Sequence, residues 1–541
     1  MDNGARVEDP ISRAVPLVVF AAVILLLWPL YGNRLFLGTN DEGIYLDAAE
    51  RILHGQKPYV DFFGYMSPGS FWMQALAFRL LGVTLAAGRV LVIGYVALEC
   101  ALIYWLVERY ASGATAIVTT LFFLAFEIAD PSILTAQHRW DSGALALASI
   151  ALCVASQPES LDRWLMVSGI LAGCAALATP SIALVALVTL AWLAWPAGQR
   201  RQAGWYLLGL AMAGTGAGAA LWLNGSLPAL LRQLQWLSQN YATVNSMPYG
   251  SIIGGYAALF KDASGWELLV RCCVVLCLAL PAVLPVVAIA GGGILLAQRK
   301  SPSDPLRSVM PYLLLSIAAL AASAHPRSDV AHLAYVAALP YAVVSILAYR
   351  WLAPRPRAWL TISIAVWAAV FAWQAKPPGS LRRLDTPAGN VQATAEQVQV
   401  VEDLLSRVHP DQSLFVYPYK PLLYFLTQAQ NPTRYSYLSP GMMTAEDARL
   451  ALCELQARPP EWVLFMDLDR SEFERIFPFA KVQETHFPEI ESWIQANYRA
   501  AEGPPLAGYS LLRRAVTQAE EFRIQNSEFR IRGIRTSPNC P

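Results

Sequence analysis

Apolar residues run almost unbroken through long stretches of the first 375 positions. Eleven of these stretches approach the roughly 20 residues a helix needs to cross a bilayer: 14–31, 85–107, 113–129, 141–156, 164–179, 181–197, 204–223, 268–297, 309–324, 331–349 and 357–374. After Lys376-Pro377-Pro378-Gly379 the pattern gives way to mixed, charged sequence. There, 391–408, 420–428 and 445–456 read as helical, and 413–417, 462–467 and 509–513 as strands. Such alternation predicts a small layered α/β domain. The expected architecture is a polytopic α-helical membrane domain over 1–375, with a first outer loop at 32–84, followed by an α/β domain over 376–515. Residues 516–541 repeat Glu521-Phe522-Arg523-Ile524 as Glu528-Phe529-Arg530-Ile531 and read as a disordered tail.

Composition agrees: 55% of residues are hydrophobic, 15% are charged, and the mean hydropathy is +0.39, which is too apolar for an ordinary soluble protein. A net charge of +1, with no basic cluster interleaved with aromatics, points away from a nucleic-acid partner. When the stretches are threaded alternately, Arg6, Arg13, Arg109, Arg163, Arg200, Arg201, Arg299, Lys300, Arg307, Arg350, Arg355 and Arg357 fall on the starting side. The positive-inside rule makes that side the cytoplasm. The expectation is a multi-pass protein of the inner (plasma) membrane, with 32–84, 130–140, 224–267, 325–330 and the C-terminal domain on the periplasmic side. The first stretch is read as a retained helix, since Trp28-Pro29-Leu30-Tyr31 offers no small-residue cleavage site.

Gly214 with Gly218, and the run from Gly291 to Gly293, read as places where helices approach closely. The eight cysteines show no paired framework or metal-ligand spacing and read as small apolar side chains. No glycine-rich phosphate loop opens a helix of the C-terminal domain, so nucleotide binding is not expected. No cofactor or metal is called for.

The outer loops hold the unusual residues. An acidic pair, Asp41-Glu42, stands just outside the first stretch, where a carboxylate can meet a lipid-borne and a water-borne reactant together. The plain alternative is a helix N-terminus favoured by the dipole. Beyond it, Ile44, Leu46, Ala48, Ala49, Ile52 and Leu53 leave Asp47, Glu50, Arg51 and His54 on another face, a pattern that suits a helix lying along the membrane surface. Asp61 and Tyr65 either shape an acceptor cleft or stabilise a turn. Glu99 lies within the second stretch, where a hydrogen bond inside the bundle is the default account.

The order of an Asp-Glu pair, an amphipathic helix ending in Gly, a Pro58-Tyr59-Val60-Asp61-Phe62-Phe63 turn, and a Pro68-Gly69-led helix ending in Phe78-Arg79-Leu80-Leu81-Gly82 resembles membrane glycosyltransferases of the GT-C fold. The branches it looks like are the protein O-mannosyltransferases and the lipid A aminoarabinose transferases. His325-Pro326-Arg327-Ser328-Asp329 leading to His332, and Asn431-Pro432-Thr433-Arg434-Tyr435, are similar in kind. The resemblance implies inverting transfer of a sugar from a polyprenyl-phosphate carrier to a glycan, lipid or protein acceptor on the outer face, among membrane lipids. It makes Asp41 the general base, with Glu42 positioning the acceptor or a cation. The aminoarabinose branch carries a lysine in the turn matching Gly64 to Pro68, where this chain has Met66, which argues against lipid A as acceptor.

A replacement phosphate contact is then expected from Arg139 or Arg327, since a guanidinium holds phosphate bidentately. Ion pairs with Asp141 or Asp329 are the alternative. His325, Asp329 and His332, at offsets of four and seven, share a helix face if Pro326 begins the helix. His325 and His332 are expected at the phosphate, in preference to a metal. The competing function is a transporter or flippase of lipid-linked saccharides, which calls for paired internal halves or several mid-membrane charges.

Overall fold

The computed structural model describes residues 10–38, 41–127, 133–156, 162–195, 200–298, 304–352, 356–375, 379–410, 412–466, 470–480, 486–502 and 508–515. The expected tail at 516–541, and the cations Arg6, Arg299, Lys300 and Arg355, lie outside the described residues. In chain order the helices are α1 (Pro10–Tyr31), α2 (Asp41–Leu53), α3 (Pro68–Leu81), α4 (Leu85–Tyr110), α5 (Gly113–Glu127), α6 (His138–Ala155), α7 (Asp162–Ala178), α8 (Ala183–Ala194), α9 (Arg200–Leu223) and α10 (Leu227–Asn245). They continue as α11 (Trp266–Ala297), α12 (Pro305–Ser323), α13 (Val330–Ala334), α14 (Ala338–Leu352), α15 (Pro356–Ala375), α16 (Ala395–Leu405), α17 (Pro421–Thr427), α18 (Ala445–Ala457), α19 (Arg470–Ile476) and α20 (Pro488–Asn497). The strands are β1 (Arg382–Thr386), β2 (Gly389–Ala393), β3 (Leu414–Tyr417), β4 (Trp462–Phe465), β5 (Tyr498–Ala500) and β6 (Ser510–Arg514).

The chain divides into two compact units. One takes the chain up to Arg34, Met66–Leu227 and Asn245–Gly379; the other takes Leu35–Tyr65, Pro228–Val244 and the chain from Ser380 onward. The first unit is helical. Among the described residues, α1, α4, α9, α11 and α12 are long and apolar enough to cross a membrane, and α5, α8, α14 and part of α15 are shorter apolar helices. Large apolar side chains stay uncovered along them, including Leu25, Leu187, Leu223 and Leu276, as lipid-facing surfaces require. This is a multi-pass membrane protein. The apolar stretch at 331–349 does not form one helix: α13 caps on Asp329 and stops at Ala334, and the apolar helix α14 begins at Ala338.

Glycines set the closest helix contacts, although not the expected ones in α9. A Cβ on Gly214 or Gly218 would meet nothing within 4 Å. Instead Gly169 of α7 and Gly209 of α9 face one another's helix, where a Cβ would come within 2.1 Å of Tyr206 O and 2.0 Å of Met166 O respectively. Both phases of α9 look alike in sequence; only the position of α7 selects Gly209. In α11, Gly292 does sit against a neighbour, Leu314 of α12.

The second unit joins the first outer loop and most of α10 to the C-terminal segment. Its four-stranded sheet runs in the order β3-β4-β6-β5, with β3 parallel to β4 and the other pairs antiparallel. β1 and β2 form a separate antiparallel hairpin. The helix expected over 391–408 starts only at Ala395: Val391 and Ala393 belong to β2, and Thr394 with Gln397 forms a capping box that fixes the boundary. Cys453, read from the sequence as an unpaired thiol, is disulfide-bonded.

The α7–α9 contact yields a prediction. Gly169→Ala forces backbone apart and should lower the thermal unfolding midpoint of the purified protein by several degrees, whereas Gly218→Ala should leave it within about one degree.

Candidate functional site

In the second unit, Asp41 is the first residue of α2 and is partly exposed, while Glu42 beside it is fully buried. Successive helical residues diverge by about 100°, so the two carboxyls face different surroundings. The helix does not lie along a membrane surface as expected. Asp47, Glu50 and Arg51 are all buried, so its polar face is packed against protein. Arg51 donates through Nε to Gln56 Oε1 (2.7 Å), through Nη1 to Ser436 Oγ (3.1 Å), and through Nη2 to the carbonyls of Asp61 (3.2 Å) and Thr433 (3.3 Å). Its guanidinium also lies over the Phe62 ring at 5.2 Å. Ser436 in turn donates to Asp47 Oδ2. Gly43 allows this closeness, since a Cβ there would lie 2.0 Å from Leu422 N of α17.

These contacts fix the electrostatics of the helix. Burial raises the Asp47 carboxyl against the opposing pull of Arg51 and Ser436. Glu50, also pushed by burial and then by the Asp47 charge, rises to about 8. Asp61 is exposed and its Oδ2 accepts from Lys57 N (2.7 Å), so its side chain closes the turn. Tyr65 lies near Asp41: burial first, and then the Asp41 charge, hold its phenol well above the ordinary value. The segment Asn431 to Tyr435 is a tight turn, with Asn431 Oδ1 accepting from Thr433 N and Asn431 Nδ2 donating to Tyr435 O, both at 2.9 Å.

In the first unit a cationic group forms around α6 and α13. Arg139, on the first turn of α6, donates through Nη1 to Ser323 O (3.1 Å), and its buried Nε has no hydrogen-bond partner. The alternative ion pair with Asp141 is not formed, and Asp141 Oδ1 is itself buried without a partner. Arg327 does take the ion pair foreseen for it, Nε to Asp329 Oδ2 at 3.0 Å, and donates through Nη1 to Asn245 Oδ1 (3.1 Å). Asp329 Oδ1 caps α13 through His332 N and lies 2.8 Å from His332 Nδ1. Burial opposes the Asp329 charge, yet His332 and Arg327 outweigh it and hold the carboxyl well below the usual range. His332 is lowered by burial, opposed by Asp329, with Arg139 and Arg327 both acting on it.

Arg139, Arg327 and His332 are therefore neighbours. His325 is not on their helix face: α13 starts at Val330, not at Pro326, and His325 is exposed. Among the described residues no group of three or more His, Cys, Asp or Glu could hold a metal ion. The sequence reading missed His138, whose Nδ1 lies 2.6 Å from Thr179 Oγ1, and the buried Arg51. His138 was findable as the imidazole adjoining Arg139; of the Arg51 partners, Thr433 and Ser436 lie more than 380 residues away and carry no local signal.

Residues 65–217 match the family described as dolichyl-phosphate-mannose-protein mannosyltransferase. No curated protein matches the sequence. Among solved structures, the oligosaccharyltransferase AglB from Archaeoglobus fulgidus, in complex with an inhibitory peptide and a dolichol-phosphate, superimposes with a TM-score of 0.52 at 11% identity, over 95% of this chain and 75% of that one. The chain has the GT-C fold. ArnT from Cupriavidus metallidurans, bound to undecaprenyl phosphate, aligns over 93% of this GT-C chain and 99% of its own, at 12% identity and a TM-score of 0.45. The arabinosyltransferase EmbB from Mycobacterium smegmatis aligns over 64% and 31%, at 13% and 0.42. The matched segment 65–217 contains Arg139 and ends short of Arg327; Asp41 precedes it.

The raised Glu50 carboxyl gives a signed pH dependence. A carboxyl raised by folding favours the folded state when protonated, so that contribution is whole below the ordinary value of 4.5 and is lost as pH climbs towards about 8. Glu50→Gln should therefore stabilise the protein at pH 9 and change it little at pH 4.5, read as the difference in unfolding midpoint.

Proposed function

We propose that this chain is an inverting membrane glycosyltransferase that moves a sugar from a polyprenyl-phosphate carrier to an acceptor hydroxyl. The observation that carries the reading is the pair of buried guanidinium groups of Arg139 and Arg327, both acting on His332 and facing the carboxylate of Asp329, with one Arg139 donor left unused. A site with surplus positive charge and an idle buried donor suits an anion. The mannosyltransferase match over 65–217, and the dolichol-phosphate held by the archaeal protein of the same fold, support a lipid-linked phosphate as that anion.

In the step proposed, the acceptor oxygen forms a bond to the anomeric carbon as the bond from that carbon to the phosphate oxygen breaks. Asp41 takes the hydroxyl proton, and the electron pair leaves with the phosphate. Phosphate departs readily once its charge is met, so Arg139 and Arg327 stabilise the leaving group in the role an acid would otherwise fill. Glu42, buried behind Asp41, acts on position and not on the proton. Asp61, engaged with Lys57 N, is assigned to the turn, and His325 to the approach to the phosphate.

We place the reaction on the outer face of the cytoplasmic membrane, with the C-terminal domain periplasmic. The distribution of arginines between loops supports this orientation. A disulfide at Cys453 suits an oxidising compartment.

The test is turnover by the full-length protein in liposomes, with radiolabelled polyprenyl-phosphate mannose as the probe. Asp41→Asn should reduce carrier consumption by about 100-fold or more while membrane insertion is unchanged. Turnover retained in that variant refutes Asp41 as the base.

A further inference from the structure

Within the second unit, aromatic rings gather from the first outer loop, α10 and the segment after Asn431. Phe63 packs edge-on to Trp236 (5.1 Å, 82°) and to Tyr437 (5.9 Å, 69°). Tyr65 stands edge-on to Tyr437 (5.6 Å, 88°) and tilts towards Tyr241 (5.7 Å, 38°). Phe63 and Tyr437 are buried, whereas Tyr65 and Tyr241 are half-buried and keep part of their surface open. The rear of the cluster is fixed, because Trp236 Nε1 donates to Asp447 Oδ2 (3.1 Å) and Asp447 also caps α18. Asp41 is a neighbour of the cluster, close enough for its charge to act on both Tyr65 and Tyr437.

Rings that only anchor a protein at the membrane interface sit singly at span ends. These two are instead backed by buried aromatics and stand beside a carboxylate. Such a surface complements a molecule with one apolar face and hydroxyls around its rim, which is the form of a pyranose ring. A serine or threonine hydroxyl on a peptide presents no comparable face.

We propose that Tyr65 and Tyr241 form a stacking platform for the sugar ring of a carbohydrate acceptor, one of whose hydroxyls is presented to Asp41. The proposal rests on the glycosyltransferase reading and narrows its acceptor from glycan, lipid or protein to a sugar. Tyr241 enters from α10, a helix that the sequence pattern alone left inside a long loop. The platform residues bind and orient; the proton transfer remains with Asp41.

Binding is read separately from turnover by saturation-transfer NMR on the detergent-solubilised full chain. The probes are methyl α-mannoside, methyl β-glucoside, methyl β-galactoside and a threonine-containing peptide. At least one glycoside should receive saturation, strongest on the C–H protons of one ring face, in the wild type and in Asp41→Asn alike. Tyr241→Leu should weaken that binding by about five- to ten-fold, and Tyr241→Phe, which keeps the ring, should hold it within about two-fold. Saturation spread evenly over the sugar, an unchanged affinity in Tyr241→Leu, a loss in Tyr241→Phe, or selective saturation of the peptide overturns the platform. Since Asp41→Asn binds without turning over, a failed platform and a failed base assignment give different results.

Discussion

A fully charged guanidinium buried in protein is tolerated only where its donors are satisfied, and Arg51 meets that condition with partners from two parts of the second unit. Gln56 and Asp61 belong to the turn after α2, and Thr433 and Ser436 to the C-terminal segment. Removing such a group's partners leaves a buried charge and costs about 3–5 kcal/mol, far more than any exposed pair on the same helix could contribute. The helix that begins with Asp41 is thus held in one register by a residue ten positions further on. Gly43, packed on the α17 backbone, leaves no room for a side chain there. The turn bearing Phe63 and Tyr65 is tied to the same segment, for Phe63 N donates to Arg434 O (2.9 Å).

The two units differ in the charge they carry. One unit carries Asp41 with aromatic rings beside it; the other carries Arg139, Arg327 and His332 together with the carboxylate of Asp329. Asp329 has two roles there, capping α13 and orienting the imidazole of His332. Its ion pair with Arg327 was foreseen as a reason to discount that arginine. In the structure it serves as well to aim a buried cation, since Arg327 is also held by Asn245.

Much of this could be read from the chain, and the failures share a cause. Apolar runs located the long helices because that signal is local and covers some 20 residues at a time. The Asp-Glu pair and the Pro-Tyr-x-Asp-Phe-Phe turn pointed to the loop that carries Asp41. The amphipathic pattern of α2 pointed to a membrane surface because Asp47 and Arg51 look solvent-bound until Ser436 is brought to them. Likewise Gly214 and Gly209 cannot be ranked without α7, and the cap at Asp329 displaced the helix start expected at Pro326. Periodicity identifies faces; it does not say which distant segment covers them.

The central claim is that the helix bearing Asp41 and the segment 431–437 form one structural piece locked by Arg51. Hydrogen exchange on the full-length protein carrying Arg51→Met tests it most directly, because the substitution keeps the bulk and removes the donors. Amides of α2 and of 431–437 should lose protection together while those of α7 and α9 keep theirs. Unchanged protection in 431–437, with loss confined to the turn of α2 around residue 51, would contradict the account.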